Sequence, residues 1–110
     1  MSPLTTHVLD LASGQPANGL RVTLEKMVGP GTFEEIAHGT TNNDGRITDL
    51  VVADQFVTGI YRLNFDTGAY HKGEGFFPAV NVTFSVKDAK KHHHVPILLS
   101  PFGYSTYRGS

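Results

Sequence analysis

Cysteine is absent from the 110 residues of this chain, which removes disulfide frameworks, thiolate nucleophiles and cysteine-based metal sites, and makes stability independent of an oxidising compartment. Charge is scarce too: 17% of residues are charged against 39% hydrophobic, too apolar a balance for a disordered chain. The formal net charge of -1 excludes the concentrated basic face that binding a nucleic acid requires. Lys87, Lys90 and Lys91 form only a small cluster. No apolar run approaches membrane-spanning length, and the opening Met1-Ser2-Pro3-Leu4-Thr5-Thr6-His7 lacks the charged and apolar regions of a secretory signal. The expectation is one domain over residues 1–110, with no nucleic-acid or membrane partner and a cytoplasmic location. Arg108-Gly109-Ser110 is not the common peroxisomal address, although peroxisomal residence stays open.

What is present is a period of two. Val80, Val82, Phe84 and Val86 alternate with Asn81, Thr83 and Ser85, and Leu20, Val22 and Leu24 alternate with Arg21, Thr23 and Glu25. Such alternation marks strands with one buried face. Tyr61, Leu63 and Phe65 repeat the pattern, and further strands are predicted at Leu4–Asp10, Phe33–Gly39, His92–Leu99 and Tyr104–Arg108. Short strands at this spacing predict an all-β sandwich or barrel. Helical signal is confined to Thr67–Gly73, where a turn or two fits ahead of the Phe76-Phe77-Pro78 corner. Asp44-Gly45 supplies the positive backbone angles of a tight turn and so presents Arg46 from a stiff corner.

Six histidines are the conspicuous chemistry. In the run His92-His93-His94, alternation puts His93 with Val95, Ile97 and Leu99 and the other two rings on the opposite face, while Pro96 predicts an edge or bulge position. A three-imidazole zinc site using His7 is one reading, but no cysteine and no separated His-Glu motif supports it. Ser105 and Ser110 lack a nucleophile-elbow setting, which argues against a serine hydrolase. Histidine with arginine suits attack of water on a carbonyl instead, since a near-neutral imidazole takes the water proton and a guanidinium stabilises the developing negative charge. The patterned end Tyr104-Ser105-Thr106-Tyr107-Arg108-Gly109-Ser110 makes the Ser110 carboxylate a further candidate group.

Three separated stretches then match one family together: Thr6-His7-Val8-Leu9-Asp10 with Gly14-Gln15-Pro16-Ala17; Asp44-Gly45-Arg46; and His94-Val95-Pro96-Ile97-Leu98-Leu99-Ser100-Pro101 running on to Tyr107-Arg108-Gly109-Ser110. On these residues the chain resembles the 5-hydroxyisourate hydrolases of the transthyretin-like family. The closing Tyr-Arg-Gly-Ser is what separates those hydrolases from the hormone-carrying transthyretins of the same fold.

The resemblance implies a two-sheet transthyretin-like sandwich of about eight strands with one short helix, assembled as a homotetramer, a dimer of dimers with sites at the dimer-dimer interface. It implies hydrolysis of 5-hydroxyisourate to 2-oxo-4-hydroxy-4-carboxy-5-ureidoimidazoline in urate catabolism, by metal-free opening of a ring amide without cofactor. His7, Arg46, His94 and Ser110 would be catalytic, and Tyr107, Arg108, Gly109 and His92 would bind substrate. Two departures stand out: the Tyr70–Gly75 segment is short and glycine-containing, and His93 replaces an aromatic residue common in relatives. The alternative is a transthyretin-like small-ligand binding protein without catalysis.

Overall fold

A computed structural model describes residues 2–110, and the period-two segments are its strands. In chain order they are β1 (Leu4–Asp10), β2 (Gln15–Pro16), β3 (Arg21–Gly29), β4 (Thr32–Thr40), β5 (Arg46–Ile47), β6 (Gly59–Phe65), β7 (Val80–Val86), β8 (His93–Ser100) and β9 (Gly103–Thr106). Helix α1 (Thr67–Tyr70) lies between β6 and β7. One sheet runs β2-β1-β8-β9 with β5 also pairing β1, and the other runs β4-β3-β6-β7. The expected two-sheet sandwich is therefore present. The two-residue β2 and β5 bring the described strands to nine, one more than expected.

Apolar faces close against each other between the sheets. Leu4 and Val8 of β1, Val22 and Leu24 of β3, Tyr61, Leu63 and Phe65 of β6, and Val80 of β7 are fully buried. Each such side chain contributes about 1.5–3 kcal/mol by leaving water. With one face of β1 and β8 committed to the core, their other face is left for polar chemistry. Among the described residues, no helix is long and apolar enough to cross a membrane.

The helix is a single turn. Asp66 caps it by accepting from the Ala69 N–H at 3.1 Å, and it ends at Lys72 and Gly73, with φ of 56° and 79°. Tyr70 O–H donates to Asp10 Oδ2 at 2.7 Å and ties the turn to the end of β1.

Pro96 corrects one expectation. It sits in β8, which lies between β1 and β9 rather than at an edge, and neither ladder bulges there. The β8–β9 ladder stops at Ile97↔Thr106 and reappears as an isolated bridge at His94↔Gly109. Pro96 occupies the gap, where its missing N–H leaves no ladder bond unmade. Its carbonyl accepts from Thr106 Oγ1 at 2.9 Å.

Candidate active site

The site is built on the outward face of β1 and β8. Leu4, Thr6 and Val8 point inward, so Thr5 and His7 share the other face. The parallel β1–β8 register sets Thr5 directly beside His94, and the antiparallel β1–β5 register sets His7 opposite Arg46. Arg46 follows the corner that the sequence predicts. Asn42 Oδ1 accepts from the N–H groups of Asp44 at 2.9 Å and Arg46 at 3.0 Å, and the Gly45 carbonyl accepts from Val8 N–H at 2.8 Å. Gly45 has φ of 71°, and a β-carbon there would strike the Val8 carbonyl. Only glycine lets the corner dock this closely on β1.

His92 and His94 face the same way, their rings stacked at 6.5 Å with an interplanar angle of 20°. Thr5 Oγ1 lies between them, 2.9 Å from His92 Nε2 and 2.8 Å from His94 Nδ1. His93 turns into the core as alternation predicts, with Nδ1 donating to the Lys91 carbonyl at 2.8 Å and its ring edge-on to Phe56 at 5.6 Å. The polarity of this inward imidazole is met by a main-chain acceptor.

A hollow of about 270 Å³ is lined by Thr5, Thr6, Arg46, Thr48, His92, His94 and Ser110. The chain thus returns its last residue to a site begun near its first. His7 is close enough to Arg46 and His94 for their charges to act on one another. Tyr107 and Arg108 line a separate hollow of about 150 Å³, shared with Val82, Phe84 and Val95. His94 borders both hollows. Within one chain, therefore, Arg46, His92, His94 and Ser110 share a cavity, and Tyr107 and Arg108 approach His94 from another side. Gly109 packs on the His94 ring, and its N–H donates to the His94 carbonyl at 2.9 Å.

Burial and then Arg46 favour the neutral form of the central imidazoles. Burial, then the Arg46 guanidinium, lower the His7 pKa from its ordinary 6.5, although the Asp44 main chain and carboxylate oppose them. The His94 pKa is lowered by burial, then by Arg46, His7 and His92. A neutral ring retains the lone pair a general base needs. Among the described residues, no three His, Cys, Asp or Glu side chains form a group able to hold a metal ion.

Sequence reasoning missed Thr5, Thr6 and Thr48. For Thr5 a signal existed, since it stands two residues before His7 and alternation puts both on one face; the others are cavity walls that only folding reveals.

Known proteins resemble this chain in sequence and fold. The model of the HIUase/Transthyretin family matches residues 4–109. The 5-hydroxyisourate hydrolase of Mus musculus is 47% identical, covering 99% of this chain and 96% of its own. The 5-hydroxyisourate hydrolase 2 of Rhizobium meliloti is 45% identical over 97% of this chain and 95% of its own. Sea bream transthyretin, solved in complex with thyroxine, superposes with a TM-score of 0.91 at 32% identity, covering 97% of this chain and 94% of that one.

Proposed function

The chain belongs to the HIUase/Transthyretin family, and from that premise we propose that it is a 5-hydroxyisourate hydrolase acting in urate degradation, with His7, Arg46, His94 and Ser110 as its catalytic group. The observation that carries the proposal is the shared hollow: Arg46, His94 and Ser110, remote in sequence, line one cavity, and His7, outside its lining, stands opposite Arg46 in the β1–β5 ladder.

Water attacks a ring amide carbonyl of the substrate. A neutral imidazole, His7 or His94, takes the water proton as the C–O bond forms, and the other supplies a proton to the departing nitrogen as the C–N bond breaks. Arg46 holds the carbonyl oxygen as it gains charge. His92 and the Ser110 carboxylate orient a flat substrate crowded with amide groups, and no cofactor is required. Tyr107, Arg108 and Gly109 bind substrate from the far side of His94.

A homotetramer, a dimer of dimers with sites at the dimer-dimer interface, completes the reading. Arg46, Thr48, His92 and Ser110 are exposed on an open sheet face, where bulk water weakens each charge interaction. A second copy set against part of that face would exclude water from Arg46 and Ser110 and add substrate contacts, with His92 left at the open rim. A cysteine-free fold asks nothing of an oxidising compartment, in keeping with a cytoplasmic location.

The test is the decay of freshly generated 5-hydroxyisourate absorbance. The parent accelerates it, and His7→Ala, Arg46→Ala and His94→Ala each lower the rate by about 10²- to 10⁴-fold. A parent that leaves the decay unchanged overturns the reading, and a pure ligand carrier gives that result.

A further inference from the structure

Between His92 and His94 stands a single hydroxyl. Thr5 Oγ1 is 2.9 Å from His92 Nε2 and 2.8 Å from His94 Nδ1, and Thr5 is buried, only 8% exposed. A hydroxyl has one hydrogen to donate. It cannot serve two acceptor nitrogens, so at least one of these ring nitrogens carries a proton. Among the described residues neither ring meets another side-chain partner, and the Thr5 main chain also approaches the His94 ring. The tautomers of the two rings are therefore coupled through Thr5 alone.

We propose that Thr5 is a positioning residue that sets complementary tautomers on His92 and His94 and passes a proton from one ring to the other. The inference rests on the hydrolase reading for its catalytic consequence, but not for the tautomers themselves.

Burial selects the direction. His94 is half-buried and His92 is exposed, and a cation is held more easily where water reaches it. In the resting arrangement His94 Nδ1–H donates to Thr5 Oγ1, and the Thr5 O–H donates to His92 Nε2. His94 Nε2 then keeps its lone pair, and His92 is protonated on Nδ1. When His94 Nε2 accepts a proton from water, its Nδ1–H bond breaks as a new bond to Thr5 Oγ1 forms. The original Thr5 O–H bond breaks as His92 Nε2 gains that hydrogen. The hydroxyl is regenerated, His94 is neutral again, and the positive charge sits on His92 at the solvent side. No oxidant or cofactor enters, and the proton count is conserved.

Exposure, rather than surrounding charge, favours the transfer: Arg46 lines the main hollow with both rings, and Lys90 and Lys91 line an adjoining one with His92. Arg46 and His7 act on His94, and Arg108 lines the adjoining hollow that His94 borders, so a lasting imidazolium at His94 would face positive neighbours. Ser110 shares the main hollow with His92 and His94. The β1–β8 register holds the relay in place by pairing Thr5 with His94 directly.

The experiment compares the full-length parent with Thr5→Val, which removes the hydroxyl at nearly constant shape, and Thr5→Ser, which keeps it. Long-range ¹H–¹⁵N correlation of the imidazole nitrogens, taken on the alkaline side of both titrations, reads the tautomers without substrate. The expected parent spectrum shows Nδ1–H on both His94 and His92. Thr5→Val should return His94 toward the Nε2–H form, and Thr5→Ser should keep the parent pattern. In turnover of 5-hydroxyisourate, Thr5→Val should lose kcat by about tenfold, the equivalent of one lost hydrogen bond, with KM little changed and the acid limb of the pH profile displaced. Thr5→Ser should recover most of the rate. Unchanged tautomers in a folded Thr5→Val protein overturn the proposal, as does a parent spectrum with His94 protonated on Nε2. A parent without hydrolase activity would remove the hydrolase reading, while the spectra still decide the role of Thr5.

Discussion

Gly109 lies directly on the imidazole of His94, so close that a β-carbon added to it would collide with Cδ2 of that ring. The contact is reinforced by the His94↔Gly109 bridge, whose N–H to carbonyl distance is 2.9 Å. Glycine at this position is therefore a consequence of packing. It lets the end of the chain serve as one wall of the His94 ring.

Gly109→Ala should displace that ring and lower kcat by about 10²-fold, the scale of a misplaced catalytic group. Because Gly109 lies outside the central core, the urea midpoint should barely move. Steady-state kinetics beside a denaturation curve checks this, and a parent-like kcat would refute the packing argument.

Activity should require neutral His7 and His94. Both have pKa values below 6.5 through burial and then Arg46, so the acid limb of kcat/KM should fall below pH 6.5. The sign for stability follows. Unfolded histidine binds its proton near 6.5 and these folded rings bind theirs lower, so stability rises with pH through that window and is lost as pH falls. Arg46→Ala removes the second cause of both shifts and should bring the acid limb back toward 6.5, as read in residual activity against pH.

Ser110 lines the hollow shared with Arg46, His92 and His94, so residues appended after it would have to thread through or cover that space. A chain extended beyond Ser110 by a hexahistidine tag should lose about tenfold or more in kcat/KM. Equal rates for extended and unextended proteins would take the terminus out of the mechanism.

Tyr70 and Asp10 should act on stability alone. Burial and the Asp10 carboxylate push the Tyr70 phenol up to about 12, whereas an unfolded tyrosine ionises near 10. The contribution is complete below pH 10 and disappears as pH climbs toward 12. Tyr70→Phe should cost about 1 kcal/mol at neutral pH and lose that alkaline slope, measured as urea midpoint against pH.

Much of the architecture is readable in the alternation of side chains, because burying one face of a strand demands a period of two whatever the partner strand is. Val80, Val82, Phe84 and Val86 announce β7 in this way, and His93 separates from its two neighbours for the same reason. Pro96 misled for a related reason. Proline excludes a ladder bond on one side only, and local sequence cannot reveal that β9 fails to continue past Thr106 at that point.

Periodicity and turn chemistry alone place the long strands, the Asp44-Gly45 corner that carries Arg46 and the outward face of His92 and His94, and the residues at 107 to 110 carry the family signature. These depend on backbone angles and side-chain periodicity, which are local. The three-dimensional packing is what pairs β1 with β8 in the register that sets Thr5 beside His94, and what brings Ser110 into their hollow while Tyr107 and Arg108 stand in another. Register and cavity walls are set by long-range closure of the core, and residues far apart in the chain acquire their distances only when its buried faces meet.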